Sequence, residues 1–342
     1  MADGLDEFPF DWIARDLRGG NCIPFLGAGA SSFPRDANAK PPTARALALE
    51  LAEESRYPPF RMLRAATSSG DSGAEEQRLR ARLDCENLML VSSWVEHGYG
   101  DRWRLSEKLR AHLADKENPL APNRLHELLA RIAQQKPMAI ITTNYDDLVE
   151  HALVKQNVAF DLFVVAIDRS AETRVQGAAL FRPAGQHELN PVTCEQELLD
   201  YDVDGNNEVR LKRTVLAKIH GHIARDRPSD DTFVITEEDY VSFLGRMGPA
   251  NSVIPADLVN LMQSRTLLFL GYGLRDWNFR VLLDRLNRLR LQPLKSYAIS
   301  DGTDAAERRL WEKRFVEIFN ADLNEFVPRL AAEMEQETSL ST

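Results

Sequence analysis

Three polar side chains that could carry out acid–base chemistry each follow an apolar run of the sequence. Asn144 and Asp146 come after the run MAIITT, and His220 comes after TVLAKI. A histidine titrates near neutral pH and can accept a proton from a hydroxyl or from water, which is typically worth roughly 10²–10⁴ in rate. An asparagine amide both donates and accepts hydrogen bonds, so it can orient the group that loses the proton. The three residues therefore indicate a site that activates a hydroxyl or a water molecule.

Two glycine-rich turns also follow apolar runs. The first is Gly27-Ala28-Gly29-Ala30-Ser31 after CIPFL, and the second is GYG at 271–273 after TLLFL. Glycine after a buried strand lets the backbone turn tightly and approach a ligand closely, and the N–H groups of such a turn suit a pyrophosphate. The first turn is not G-x-G-x-x-G, since Ser32 stands at the third position, and it lacks the lysine of a P-loop. A simple turn between a strand and a loop of a packed sheet is the alternative.

The elements that must position these residues are short strands that alternate with helices. Strands are predicted over 22–26, 138–144, 214–220, 233–236, 266–270 and 295–300, and near 160–166 and 178–183. This alternation predicts an α/β fold, a Rossmann-like doubly wound parallel sheet. Ligands of such sheets bind outside the C-terminal ends of the strands. The two glycine-rich turns, the segment with Asn144 and Asp146, and the segment with His220 are all expected there.

The sequence divides into a core and two helical parts. We expect the core to comprise 1–56 and 137–300, and 301–342 to form C-terminal helices. The stretch 57–136 contains no strand pattern and predicts a helical insertion, polar over 57–80, loop-prone around Ser68 to Gly73, and helical over roughly 84–98, 102–114 and 123–135.

The four segments, in this order, resemble the sirtuin family. GAGAS is similar to the glycine turn over the NAD pyrophosphate, and TTNYD (142–146) to the sirtuin Thr-Gln-Asn-Ile-Asp segment. KIHG (218–221) resembles the His-Gly of the catalytic histidine, and GYGLRD (271–276) stands where sirtuins have a Gly-Thr-Ser-Leu turn. The resemblance implies NAD as the ligand and Asn144, Asp146 and His220 as catalytic residues. It implies NAD contacts from Gly27, Ala28, Gly29, Ser31, Thr143, Gly271 and Tyr272.

Two sirtuin features that serve protein deacylation are absent from the sequence. No cysteine lies between His220 and the strand at 233, where deacylating sirtuins have a zinc module of two cysteine pairs. The Gly-Ile-Pro-Asp-Phe-Arg loop is replaced by SFPRDANAKPPT. The turn GYGLRDWNFR is more similar to the bacterial sirtuin-like branch. That resemblance implies hydrolysis of NAD to nicotinamide and ADP-ribose, with NAD depletion as a defence against phage.

The resemblance also implies a role for each catalytic residue. Cleavage of the bond between nicotinamide and ribose passes through an oxocarbenium-like state. Asp146 would hydrogen-bond the carboxamide, Asn144 would orient the ribose hydroxyls or the attacking water, and His220 would act as the general base.

Structural roles are the alternatives for the same residues. Asn144 and Asp146 could cap the helix that follows them, and His220 could be a hydrogen-bonded core histidine. His222 would share a face with His220 on an extended strand, but no third metal ligand accompanies the pair. We therefore predict no metal.

Composition limits the classes of partner. The formal net charge of −10 disfavours direct nucleic-acid binding. Three separated cysteines without a C-x-x-C pair fit a reducing cytoplasm. The N-terminus does not resemble a secretory signal, and the apolar run 266–270 is too short to span a bilayer. We expect a cytoplasmic protein without membrane contact.

The predicted function is therefore an NAD glycohydrolase. A protein deacylase or ADP-ribosyl transferase is the alternative among enzymes, and a non-catalytic module that binds NAD or ADP-ribose and gates an assembly is the alternative outside them. Because unrestrained NAD hydrolysis would kill the host cell, we expect control by a homo-oligomer or by a partner. Resemblance to compact defence sirtuin-like proteins makes a HerA-type hexameric ATPase a candidate partner.

Overall fold

A nine-stranded sheet lies at the centre of the computed structural model, which describes residues 5–33, 40–65, 72–117, 119–166, 179–193, 196–203, 209–246, 252–273, 277–290 and 294–340. In spatial order, its strands are β13 (Val316–Phe319), β12 (Ser296–Ile299), β11 (Thr266–Leu270), β1 (Cys22–Leu26), β2 (Ala139–Thr142), β8 (Thr214–Lys218), β3 (Phe160–Val165), β4 (Ala179–Arg182) and β5 (Asn190–Val192). The central strands are buried along their whole length, as their continuous apolar sequences require when helices cover both faces.

The sheet is parallel from β13 to β3 and antiparallel at its other edge. The α/β fold is confirmed, but β4 pairs antiparallel with β3, and β5 antiparallel with β4. The connection over 183–189 is too short for a parallel crossover, which accounts for the reversal at β5. Two small hairpins complete the strands, β6 (Tyr201–Val203) with β7 (Val209–Leu211) and β9 (Gly221–His222) with β10 (Thr232–Phe233).

Helices cover the two faces of the sheet. The first face is packed by α1 (Phe10–Gly19), α8 (Arg124–Gln135), α9 (Leu148–Lys155) and α14 (Leu323–Leu340), whose buried side chains share one apolar core. The second face is packed by α10 (Glu237–Gly245), α11 (Ala256–Ser264), α12 (Trp277–Leu289) and α13 (Ala305–Glu312). The short helix α2 (Ala28–Ser31) follows β1 directly.

The remaining helices form a cluster of their own, with a third apolar core. They are α3 (Ala44–Glu54), α4 (Pro58–Ala65), α5 (Ser72–Cys85), α6 (Leu88–Tyr99) and α7 (Arg102–Leu113). Ile223, Phe233 and Ile235, from the hairpin β9–β10 and its continuation, are buried in that core. The hairpin that follows His220 is thus packed against the helical cluster.

One sequence prediction about secondary structure is wrong, and another lies largely outside the described residues. The loop predicted around Ser68 to Gly73 falls mostly on 66–71, which are not described, while its last two residues begin α5. The tail was predicted as two helices, but the strand β13 lies between α13 and α14 and joins the sheet beside β12. None of the helices in the described ranges combines the length and apolar character that a membrane crossing needs.

Candidate active site

The four predicted segments stand side by side along one edge of the sheet. Leu270, Leu26, Thr142 and Lys218 are register partners across β11, β1, β2 and β8. The predicted residues come directly after these positions. Since neighbouring strands lie about 4.8 Å apart, the four strand ends form a row about 14 Å long.

The row includes the point where the strand order reverses. From β1 the chain continues to β2 on one side, whereas β11 on the other side leads to β12 and β13. Doubly wound sheets bind their ligands in the crevice at this reversal. The glycine-rich turns after β1 and β11 therefore face each other where a ligand is expected.

The two glycine-rich turns are packed backbone to backbone. The N–H of Gly27 donates to the carbonyl of Leu270 (3.1 Å), and the N–H of Gly29 donates to that of Gly271 (2.9 Å). A Cβ on Gly29 would lie 2.8 Å from the Gly271 carbonyl oxygen, and one on Gly271 (φ +59°) would overlap the nitrogen of Ala30. This packing alone accounts for the glycines, so the glycine pattern by itself does not indicate a phosphate site.

Asn144 supplies a buried acceptor that none of the described protein groups uses. Its Nδ2 donates to the Gly27 carbonyl (3.0 Å) and to Ser31 Oγ (2.9 Å). The residue is buried, with 7% of its surface exposed. Both amide hydrogens are thereby used, while Oδ1 has no hydrogen-bond partner among the described residues. A buried amide oxygen without a partner is costly unless a ligand or water satisfies it. Asn144 therefore fits an acceptor for a hydroxyl group, and none of its described side-chain bonds caps α9.

Ser31 joins Asn144 to two further side chains. His126 Nε2 lies 3.4 Å from Ser31 Oγ, and the Ser31 hydroxyl is also hydrogen-bonded to the carboxyl of Asp146. His126 Nδ1 accepts from the N–H of Asn123 (3.2 Å), so the ring proton is on Nε2 and points to Ser31. Burial lowers the pKa of His126 to about 4, which keeps the imidazole neutral.

No motif in the sequence singles out His126, although it contacts the predicted site. The one local signal that could have drawn attention to His126 is its spacing from Asn123. The two residues are the N-cap and third residues of α8 and form a capping box. Asn123 Nδ2 also donates to the carbonyls of Ala30 and Phe33, which ties the start of α8 to the first glycine-rich turn.

Asp146 is buried beside this network. Its Oδ1 accepts from the N–H of Leu148 at 3.2 Å, so the capping interpretation holds for this residue in part. Burial raises the pKa of Asp146 to about 6, and the positive charge of Lys218 opposes that rise. The carboxyl group can thus change its protonation state near neutral pH.

The two histidines after β8 face different partners. The ring of His220 packs edge-on against Tyr240 (5.8 Å) and Phe243 (6.0 Å) of α10, whereas His222 Nδ1 lies 3.4 Å from Glu150 of α9. The expectation of a shared face is wrong, because Gly221 between them has φ +102° and turns the backbone. Among the described residues, no cluster of His, Cys, Asp or Glu is arranged to hold a metal ion.

The side chains of the remaining predicted residues are small or packed within the protein, so their backbone is the part that could contact a ligand. Tyr272 is buried, and its ring packs on Phe25 at 5.1 Å. Thr143 donates its N–H to the carbonyl of Leu26 (3.0 Å), and Ala28 begins α2. A surface groove of about 530 Å³ between α8 and α14 contains none of the predicted residues.

Comparisons with known proteins point to one family. A family model described as "SIR2-like domain" matches residues 138–319. The chain is 24% identical to "NAD(+) hydrolase ThsA" of Acinetobacter baumannii (strain 532279) over 290 residues, covering 84% of this chain and 43% of that protein. It is 24% identical to "NAD(+) hydrolase ThsA" of Bacillus cereus (strain MSX-D12) over 213 residues, covering 62% and 34%. It is also 24% identical to "Defense-associated sirtuin 2" of Bacillus subtilis over 169 residues, covering 49% and 12%.

The chain spans less than half the length of each of these relatives. A solved structure titled "Structural Basis for the Mechanism and Regulation of Sir2 Enzymes" aligns with 97% of this chain and 99% of its own, at 14% identity and a TM-score of 0.40.

Proposed function

We propose that this chain, which belongs to the SIR2-like domain family, hydrolyses NAD to nicotinamide and ADP-ribose. The observation that carries the proposal is the unpartnered, buried Oδ1 of Asn144 at the reversal point of the sheet. Two relatives named NAD(+) hydrolase support the same reaction.

The proposed reaction transfers the ADP-ribosyl group to water. Water adds its oxygen to C1′ of the nicotinamide ribose, and the bond from C1′ to the pyridinium nitrogen breaks with its electron pair going to nicotinamide. The proton of the water passes to His220 as the general base. Asn144 Oδ1 accepts a hydrogen bond from the water or a ribose hydroxyl, and Asp146 hydrogen-bonds the carboxamide.

The contacts proposed for NAD follow the row of strand ends. The pyrophosphate lies over the backbone of Gly27, Ala28 and Gly29, with Ser31 below it and Thr143 beside it, and Gly271 and Tyr272 bound the crevice on the other side. The packed turns support this arrangement because they hold two backbone segments at one edge of the crevice.

Nicotinamide release by the purified protein tests the proposal. We expect release from NAD by the wild type, and losses of at least about 10²-fold in Asn144→Ala and in His220→Ala, since each removes a group that acts on the proton being moved. Ser32→Ala is the matched control, because the hydrogen bonds of its hydroxyl among the described residues go to the backbone carbonyls of Ala28 and Pro41. Binding of NAD without release by the wild type, alone and with its partner present, would mean a binding module instead of an enzyme.

The proposed biological role is defence against phage by NAD depletion in the cytoplasm. A relative named Defense-associated sirtuin 2 supports this role, and the buried free thiols of Cys22 and Cys85 fit a reducing compartment. Cells with the wild type should lose NAD after infection and limit phage yield, and cells with Asn144→Ala should do neither.

We also propose that assembly restrains the enzyme. Either a homo-oligomer or a HerA-type hexameric ATPase would gate the crevice until infection. Mass in solution, measured alone and after co-expression with the neighbouring gene, tests this, and a monomer in both preparations would contradict it.

A further inference from the structure

Lys218 is a buried lysine that no step of the proposed reaction uses. It is the last residue of β8, and none of its surface is exposed. Its Nζ donates to Glu150 Oε1 (2.9 Å) and to the backbone carbonyls of Tyr145 (3.2 Å) and Asp146. One ammonium group therefore holds both a carboxylate of α9 and two consecutive carbonyls of the segment that carries Asn144.

The ion pair with Glu150 does not by itself explain why a lysine is present. Lys218 and His222 keep the pKa of Glu150 well below its usual range despite burial, so the glutamate is ionised and the pair is charged. A buried ion pair loses much of its Coulomb energy to desolvation, and apolar residues of similar volume are often as stable or more stable. Stability is thus a weak reason for this pair, and the two carbonyl contacts are the distinguishing feature.

The carbonyls bound by Lys218 belong to the peptide groups on either side of Asp146. The segment 143–147 has no regular secondary structure between β2 and α9, so its shape depends on contacts of this kind. The Tyr145 carbonyl also accepts from the N–H of Ile223 (2.9 Å), and Asp147 receives two bonds from Arg225. Lys218 contacts the segment from the neighbouring strand β8, where it is the register partner of Thr142, the last residue of β2.

We propose that Lys218 is a positioning residue for NAD hydrolysis, whose ammonium fixes the backbone of 144–147 and thereby aims Asn144 and Asp146 into the crevice. The inference rests on the proposed function and adds the group that orients its two side chains.

The decisive variant removes both charges of the pair. Lys218→Met/Glu150→Met removes the ion pair as a unit, so we expect it to fold with an unfolding midpoint near that of the wild type, because the pair itself adds little net stability while two carbonyls lose a donor. Loss of the carbonyl contacts should lower kcat about 10²-fold, the effect of a misplacement of about 1 Å in a catalytic geometry. Glu150→Gln keeps the lysine and both carbonyl contacts but removes the ion pair, so it separates the two effects: we expect it to be less stable than the wild type, since a buried charge loses its partner, and to keep a higher kcat than the double variant under conditions in which it is folded. Lys218→Gln/Glu150→Gln is a second neutral pair for the case in which the methionine pair does not fold.

The pH profile separates positioning from a merely structural role. The charged groups that face Asp146 are Lys218 from β8 and Glu150 from α9, while neutral His126 of α8 reaches it through Ser31. Since Lys218 has the larger influence, its removal with Glu150 should move the limb of the kcat profile set by Asp146 to higher pH. A folded double variant with wild-type kcat and an unchanged profile would overturn the proposal.

Hydrogen–deuterium exchange, measured without NAD, separates this proposal from the proposed function. Peptides covering 143–148 should exchange faster in the double variant, while those covering β12 should not change. If the wild type releases no nicotinamide, the proposed function fails, and the exchange result alone decides whether Lys218 fixes the segment. Equal exchange in the wild type and the double variant would overturn it.

Discussion

The Ser31 hydroxyl serves three neighbours and has one hydrogen to give. It accepts from Asn144 Nδ2 and faces the Nε2–H of His126, so its own hydrogen is available for the Asp146 carboxyl. Asn144 in turn uses both of its amide hydrogens on protein groups. The network is therefore complete except at Asn144 Oδ1, and a hydroxyl of the substrate would complete it.

Asp146→Asn should make the protein more stable at neutral and higher pH. The pKa of Asp146 is about 6 in the folded protein against 3.8 for an ordinary aspartate, so the folded state binds the proton first, and the contribution of Asp146 to wild-type stability rises as the pH falls from 6 to 3.8. Above pH 6 the ionised carboxyl destabilises the fold by about 3 kcal/mol, which the amide removes. Urea unfolding at pH 8 and pH 4 should show a large difference only at pH 8, together with loss of NAD hydrolysis. Parallel pH dependences would contradict the prediction.

His126→Gln should have the opposite pH signature. Because the folded-state pKa is about 4 and that of an ordinary histidine 6.5, the unfolded chain binds the proton first, and the contribution of His126 to wild-type stability falls as the pH drops from 6.5 to 4. The loss amounts to about 3 kcal/mol, and the glutamine variant should not show it. Glutamine keeps the capping box of α8, so the far-UV circular dichroism of the variant should match that of the wild type. An unchanged acid limb in the stability curve would show that another group is responsible.

At the scale of single residues, the sequence was most informative where a motif is local. Asn144, Asp146 and Ser31 were predicted from their segments, and the structure brings them together, although their roles in catalysis remain predictions. His126 was missed because its contact with Ser31 joins positions 95 residues apart, and no local pattern encodes that distance.

At the scale of elements, the two glycine-rich turns act as one unit. Gly27, Gly29 and Gly271 permit a contact that any side chain would prevent, and the turns come from strands that are neighbours only in space. The requirement for glycine at each of these positions thus comes from the backbone of the opposite turn.

Gly271→Ala should be much more damaging than Gly302→Ala. Both glycines have positive φ (59° and 78°), so alanine strains either backbone by about 1–2 kcal/mol. Only at Gly271 does the added Cβ meet the backbone of Gly29 and Ala30, and such overpacking adds about 1–3 kcal/mol, whereas Gly302 has open space. Urea unfolding of both variants tests the difference, and equal losses of stability would show that the two turns can separate.

The sequence predicted the central strands well and the peripheral elements poorly. Continuous apolar runs such as 22–26 and 266–270 match β1 and β11 as observed. The strand β13 has only four residues, VEIF, and its register beside β12 is set by a tertiary contact.

At the scale of the whole molecule, the helical cluster is joined to the segment after His220 through charged side chains as well as its apolar core. Arg110 of α7 binds Asp231 (2.8 Å) and the carbonyls of Ala224 and Arg225. Arg225 then binds Asp147, next to the proposed site. We propose that the cluster, whose helices α4 to α7 lie within the insertion predicted over 57–136, holds this segment in place where the resemblance to deacylating sirtuins implies a zinc module.

A double-mutant cycle on Arg110 and Asp231 should give a coupling energy of about 1–3 kcal/mol, as expected for contacting residues in one buried network. Burial raises the pKa of Asp231 by more than the positive charge of Arg110 lowers it. The coupling energy should therefore decrease as the pH is lowered and Asp231 becomes protonated. The exposed pair of Lys108 and Glu54 is the control, for which coupling below about 1 kcal/mol is expected. Equal couplings would contradict the idea that the Arg110 contact joins the cluster to the core.

The contact between the two glycine-rich turns can form only after both turns have been synthesised. About 240 residues separate Gly29 from Gly271, which at ~5–20 residues per second takes roughly 10–50 s to translate. Until β11 has emerged, the floor of the crevice is missing one of its two backbone segments, however well β1 and β2 have folded. If the proposed function holds, a nascent chain that has not yet reached Gly271 should therefore release no nicotinamide from NAD. The same is expected of a proteolytic fragment that ends before Gly271.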